Sequence, residues 1–295
     1  MKRLVFAIFL LAMAHLCVSA TTKYALVIGI GPYPKESGWA EINGDKDVPV
    51  VVKMLRVNGF DSIYKLVNEK ATKENIRKAM GNMAKRCKPG DKVYIHFSGH
   101  GQQVVDVHND EPDDGMDEAW IPYDACARYV KGRYEGQNHI LDDELYNWLT
   151  AISDKIGNKG RLTVAVDACH SGDISRGAED DSLCVRGAFA DGTRGIETVF
   201  RAVSSWLTSK DSPKPAAQRV VKWTAISACR PNETNREYKG GGSLTTALSI
   251  LADQLGNMTA EEVRVKVRNL MKNTFNFGDH QLPQVNSEGK NKPFI

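Results

Sequence analysis

Val93-Tyr94-Ile95-His96-Phe97-Ser98-Gly99-His100-Gly101 and Leu162-Thr163-Val164-Ala165-Val166-Asp167-Ala168-Cys169-His170-Ser171-Gly172 are the two stretches on which the reading of this chain turns. Each is a short apolar run of the kind that forms a buried strand, and each ends at glycine beside a reactive side chain. An open α/β sheet builds its active site at the carboxyl ends of its strands. His100 and Cys169 delivered there are the working parts of a thiol hydrolase.

Outward from these stretches, strands and helices alternate. Residues 24–30 read as a first buried strand and 62–67 as a second. Between them a helix is expected, capped by Asp47, with Pro49 in its first turn and Val48, Val51, Val52 and Leu55 inward. Asn58-Gly59 ends it. Thr72 caps a further helix with Ile76, Met80, Met83 and Ala84 inward. Residues 102–107 and 118–123 read as hairpin arms around the acidic loop 109–117. Leu145, Trp148, Leu149 and Ile152 mark a helix opened by Asp142-Asp143. Beyond Cys169, residues 173–198 read as a long functional loop. A strand at 222–227, one helix through Leu244, Ala247, Leu248, Leu251 and Leu255, and a last helix with Val263, Val267 and Leu270 complete the pattern. This order predicts an α/β fold, a mostly parallel sheet with helices on both faces.

Residues 1–20 are read as a signal peptide: Lys2 and Arg3, an apolar run from Leu4 to Leu16 broken by His15, then small Val18-Ser19-Ala20. The run is too short to span a bilayer, which takes about 20 apolar residues, and Cys17 sits in a poor lipidation box. The expectation is therefore a secreted or periplasmic protein whose single domain is 21–295, with no membrane attachment after signal removal. Formal charge is +3 for 295 residues and 37 − 36 = +1 without the leader, so no general attraction to nucleic acid is expected. The remaining cysteines, Cys87, Cys126, Cys169, Cys184 and Cys229, are odd in number, which singles out one as reactive rather than a disulfide scaffold.

At the site, His100 is the candidate base for Cys169, and the Gly101 N–H is an oxyanion donor, with the Cys169 N–H as the second. Other chemistries fit less well. A cysteine phosphatase loop would need an arginine at position 175, where Ser175 stands. His96 and His100 have the spacing of a zinc helix but lie on strand-to-turn sequence, so His96 is read as structural. Gly29-Ile30-Gly31 lacks the third glycine of a dinucleotide loop, and no organic cofactor is expected.

These residues resemble the metacaspases, caspase-like cysteine peptidases. Ser98-Gly99-His100-Gly101 is similar to the family's histidine motif and Asp167-Ala168-Cys169-His170-Ser171-Gly172 to its cysteine motif. Asp117-Glu118 before Ile121-Pro122 and Asp124, then Ile140-Leu141-Asp142-Asp143-Glu144, resemble further family blocks. The resemblance implies a caspase-hemoglobinase fold, a His100/Cys169 dyad, and protein or peptide substrates with Arg or Lys before the scissile bond. It implies a specificity pocket lined by Asp47, Ser98 and Asp167, where carboxylates attract a guanidinium and repel acidic side chains. Metacaspases often carry Cys where Gly44 stands. The resemblance also implies calcium as an activator, with Asp117, Asp142 and Asp143 as oxygen ligands. Arg176-Gly177, Arg186-Gly187 and Arg194-Gly195 would then be self-cleavage bonds. The alternative from another class is a catalytically silent caspase-like module that binds basic peptides.

Overall fold

The computed structural model describes residues 21–105, 116–128, 130–168, 187–188, 221–230, 233–286 and 288–295. The expected leader, Cys169, Cys184 and nearly all of the loop at 173–198 lie outside these residues. Strand β1 (Lys23–Gly29) is followed by helix α1 (Gly44–Val57), β2 (Ser62–Val67), α2 (Lys73–Arg86) and β3 (Lys92–Ser98). A hairpin of β4 (Gly101–Val105) and β5 (Met116–Trp120), short β6 (Ile140–Leu141) and α3 (Asp142–Ile156) lead to β7 (Arg161–Asp167). After β8 (Gly187–Ala188) and β9 (Thr224–Ser227) come the pair β10 (Glu237–Tyr238) and β11 (Gly241–Gly242). Helices α4 (Ser243–Ile250) and α5 (Ala260–Asn273) and strand β12 (Gln284–Val285) close the order.

The main sheet has six strands in the order β12-β9-β7-β3-β1-β2. Every neighbouring pair is parallel except β12 with β9. Successive strand residues face opposite sides, which explains the unbroken apolar runs. Leu26, Ile28, Ile95, Phe97 and Val164 pack on one side with Ile76 and Met80 of α2 and Leu149 and Ile152 of α3. Ala25, Val27, Tyr94 and Ala165 face the other side, against Val51 and Leu55 of α1, Leu244 and Leu248 of α4, and Val263 and Val267 of α5. The fold is α/β, a mostly parallel sheet with helices on both faces, as expected. Among the described residues no helix is long and apolar enough to cross a membrane.

Two expectations are corrected. Asp47 does not cap α1: the helix starts three residues earlier, at Gly44, and Pro49 stands beyond its first turn. The start is fixed from afar, because Glu237 of β10 accepts the Asn43 N–H at 2.7 Å and the Asn43 side-chain amide donates to its other oxygen. The helix expected through Leu255 is broken after Ile250, and a 3₁₀ segment, Ala252–Asn257, follows. There the Ala252 carbonyl accepts from Asn58 Nδ2 of the α1 terminus at 3.0 Å, while Leu255 stays buried.

Candidate active site

Strands β1, β3 and β7 end together: Gly29 is in register with Ser98, and Ser98 with Asp167. In-register residues of parallel strands share a face, so Ser98 and Asp167 lie side by side. They belong to the α1 and α4 side, two residues on from His96 and Ala165. The predicted pocket residues therefore meet. The Ser98 hydroxyl donates to Asp47 Oδ2. Asp47 Oδ1 accepts the Gly242 N–H at 2.9 Å. Asp167 Oδ1 accepts from Asn235 Nδ2 at 2.8 Å, and its Oδ2 accepts from the N–H and the hydroxyl of Thr245, both at 2.7 Å.

Gly242 is the N-cap residue of α4 and Thr245 lies in its first turn; the helix has no side-chain cap of its own. Two carboxylates from elsewhere accept these two N–H groups, and the positive end of the helix favours their charge. Close approach at this rim requires glycine at position 44, since a Cβ there would sit 2.4 Å from the Ile30 carbonyl oxygen and 2.5 Å from that of Ser98. A cysteine there would push α1 away from these strand ends.

His100 leaves β3 through Gly99 and is only 2% exposed. Its N–H donates to Tyr33 Oη at 3.1 Å, and that hydroxyl donates to the Ile121 carbonyl at 2.9 Å. The ring stacks on Trp39, centroids 5.0 Å apart at 28°, with Tyr33 at 5.1 Å. Nε2 lies 2.9 Å from the Ala40 carbonyl oxygen. A carbonyl only accepts, so Nε2 carries the proton and the lone pair of the neutral ring is on Nδ1. Tyr33, Trp39 and Ala40 come from the loop between β1 and α1. Sequence reading missed them because nothing local ties that loop to His100.

Gly101 opens β4, in register with Trp120 and Gly187. Cys169 lies two residues beyond the end of β7, outside the described residues. Of the described thiols, Cys87 and Cys126 are free. Burial pushes the Cys87 thiol up to about 11, with nearby Asp91 adding to the shift, and burial also raises Cys126. Both are therefore protonated and weakly nucleophilic at neutral pH. Cys229 is buried beside the Glu233 carbonyl, its sulfur 3.4 Å from that oxygen.

His96 sits inside β3, buried, with Nε2 3.1 Å from Thr245 Oγ1. This agrees with a structural role. Asp142 and Asp143 open α3, and Asp143 is buried. Pairing of Ala119 with Leu141 brings β5, which carries Asp117, alongside that helix start. The Asp117 side chain is outside the described residues, among which no group of three metal-ligating side chains assembles. The donors available, carboxylate oxygens, are the kind calcium takes.

Comparison with known proteins agrees with this architecture. The profile of the metacaspase, peptidase C14 domain matches residues 23–176, just over half of the chain. The chain is 27% identical over 268 residues to metacaspase-1 of Candida albicans, covering 77% of this chain and 56% of that protein. It is 26% identical over 239 residues to metacaspase-1 of Yarrowia lipolytica, covering 73% and 49%. It thus spans about half the length of these relatives. Among solved structures, a protein from Geobacter sulfurreducens superposes with a TM-score of 0.65 at 25% identity, covering 93% of this chain and 98% of that one.

Proposed function

We propose a function on one premise: the chain belongs to the metacaspase family of C14 peptidases. On that premise it is a cysteine endopeptidase that cuts peptide bonds after Arg or Lys. The observation that carries this reading is the gathering of Asp47, Ser98 and Asp167 at the rim from which His100 emerges.

In this reading His100 Nδ1 takes the thiol proton of Cys169, and the imidazolium is held by the Ala40 carbonyl on Nε2 and by the Trp39 face. The thiolate adds to the carbonyl carbon of the scissile bond, and the Gly101 and Cys169 N–H groups hold the oxyanion. His100 then protonates the departing amine, leaving an acyl-enzyme thioester. Water, deprotonated by the same ring, releases the acid and returns the thiol. Asp47 and Asp167 supply the negative charge that selects a basic residue before the bond.

Calcium bound by Asp117, Asp142 and Asp143 would neutralise their carboxylates and tie the β4–β5 hairpin to the start of α3. Self-cleavage after Arg176, Arg186 or Arg194 follows from the same specificity, and those bonds lie outside the described residues, Arg186 included. Export through the leader at 1–20 is part of the proposal.

One experiment tests it. Arginyl and lysyl fluorogenic peptides should be hydrolysed by the purified protein, with and without calcium, and Cys169→Ala should abolish both hydrolysis and self-fragmentation on a gel. Equal hydrolysis by Cys169→Ala refutes the mechanism. Labelling of Cys169 by an arginyl electrophile without turnover would leave the silent binding module as the function.

A further inference from the structure

We infer that Asn235 and Thr245 are positioning residues that set the selectivity for a basic substrate by fixing the Asp167 carboxylate. The inference rests on the reading of Asp167 as a specificity residue and adds what makes it effective.

Asp167 is 0% exposed, and an ionised carboxylate so deeply buried is costly unless donors surround it. Among the described residues three donors do: one N–H of the Asn235 amide on Oδ1, and the Thr245 N–H and hydroxyl on Oδ2. Each is oriented by further partners. Asn235 Oδ1 accepts from Ser243 Oγ at 3.0 Å and from Gln281 Nε2 at 2.8 Å, so the NH₂ edge of the amide must face Asp167. Gln281 is itself held, its Nε2 lying 3.2 Å from the Ala228 carbonyl and 2.6 Å from Ser243 Oγ. The single hydroxyl proton of Thr245 goes to Asp167, so the hydroxyl accepts from His96, whose Nε2 is 3.1 Å away. All of these side chains are buried.

The consequence is a carboxylate with a fixed plane. Bidentate recognition of a guanidinium depends on that plane, whereas attraction of a point charge does not. A helix cap alone would require neither Asn235 nor the Thr245 hydroxyl, because Asp167 Oδ2 already accepts the Thr245 N–H of the first turn of α4.

The test compares a peptide ending in arginine with the same peptide ending in citrulline, its neutral isostere. The ratio of kcat/KM for the two is independent of the fraction of folded enzyme. Thr245→Val, which keeps the N–H and loses the hydroxyl, should lower the ratio about tenfold through KM with kcat little changed. Thr245→Ser should restore it to within about twofold.

Asn235→Asp separates orientation from charge. It adds a carboxylate where Asp167 needs a donor, so two oxygens 2.8 Å apart must share a proton and the ratio falls. A rise in the ratio in Asn235→Asp would overturn the inference in favour of bulk negative charge. Asp167→Asn is the control for the underlying reading. If it collapses the ratio while Thr245→Val and Asn235→Asp leave it unchanged, the positioning role is wrong and the pocket stands. If Asp167→Asn itself leaves the ratio unchanged, the pocket reading fails. Should Thr245→Val not fold, the near-isosteric Asn235→Asp decides alone.

Discussion

The Ala40 carbonyl is a single backbone atom, yet it fixes which nitrogen of His100 can act as a base. With Nε2 donating to it at 2.9 Å, the ring can take a proton only on Nδ1. Trp39 stacks on the ring at a centroid distance of 5.0 Å, a face that would stabilise the imidazolium of the proposed mechanism. A cation over an aromatic face is worth about 0.5–2 kcal/mol, or about two- to thirty-fold in a rate that depends on the cation. Trp39→Leu should therefore lower kcat by that factor with the arginine-over-citrulline ratio unchanged, and Trp39→Phe should recover most of it. Steady-state kinetics on the two peptides check both. A change in the ratio would instead place Trp39 in the substrate pocket.

At the scale of elements, β3 illustrates what a strand pattern reveals and what it hides. Its apolar residues and its delivery of His100 were legible because a strand buried on both faces leaves an unbroken hydrophobic run. Its first residue was not. Lys92 stands in register between Lys23 of β1 and Arg161 of β7. Burial, then Arg161 and Lys23, depress its ammonium below the usual lysine range. Lys23 finds the Asn58 carbonyl at 2.7 Å and Arg161 that of Ile295 at 2.8 Å. Lys92 has no acidic partner among the described residues. Like charges directly opposite on neighbouring strands are destabilising by about 0.2–1 kcal/mol per pair. Lys92→Gln should therefore raise the melting temperature slightly, and the gain should shrink as salt screens the row. A lower melting temperature in low salt would show that the lysine stem contributes more by packing than its charge costs.

For the whole molecule, one link to pH runs through His139. It is buried, with Nδ1 2.8 Å from Tyr134 Oη and Nε2 2.7 Å from Gln102 Oε1 of β4. Burial first, then the charge of Lys73, lowers it from 6.5 to about 4. A depressed folded-state value means that the unfolded chain binds the proton first, so stability is full above about pH 6.5 and falls as pH drops toward 4. The loss amounts to about 3 kcal/mol at about 1.4 kcal/mol per unit. His139→Gln should remove that part of the difference between melting temperatures at pH 7 and pH 4.5, and an unchanged difference would mean that other groups dominate. The sequence by itself determined the strands, most helices, the family and the rim motifs, because burial on a sheet and helical spacing are properties of neighbouring residues. Only the tertiary structure decided where α1 begins, which nitrogen of His100 carries the proton, and what surrounds Asp167. The deciding partners, Glu237, Ala40 and Asn235, lie 194, 60 and 68 residues away along the chain from Asn43, His100 and Asp167. A hydrogen bond selects by distance and direction in space, and folding alone brings such atoms within its reach.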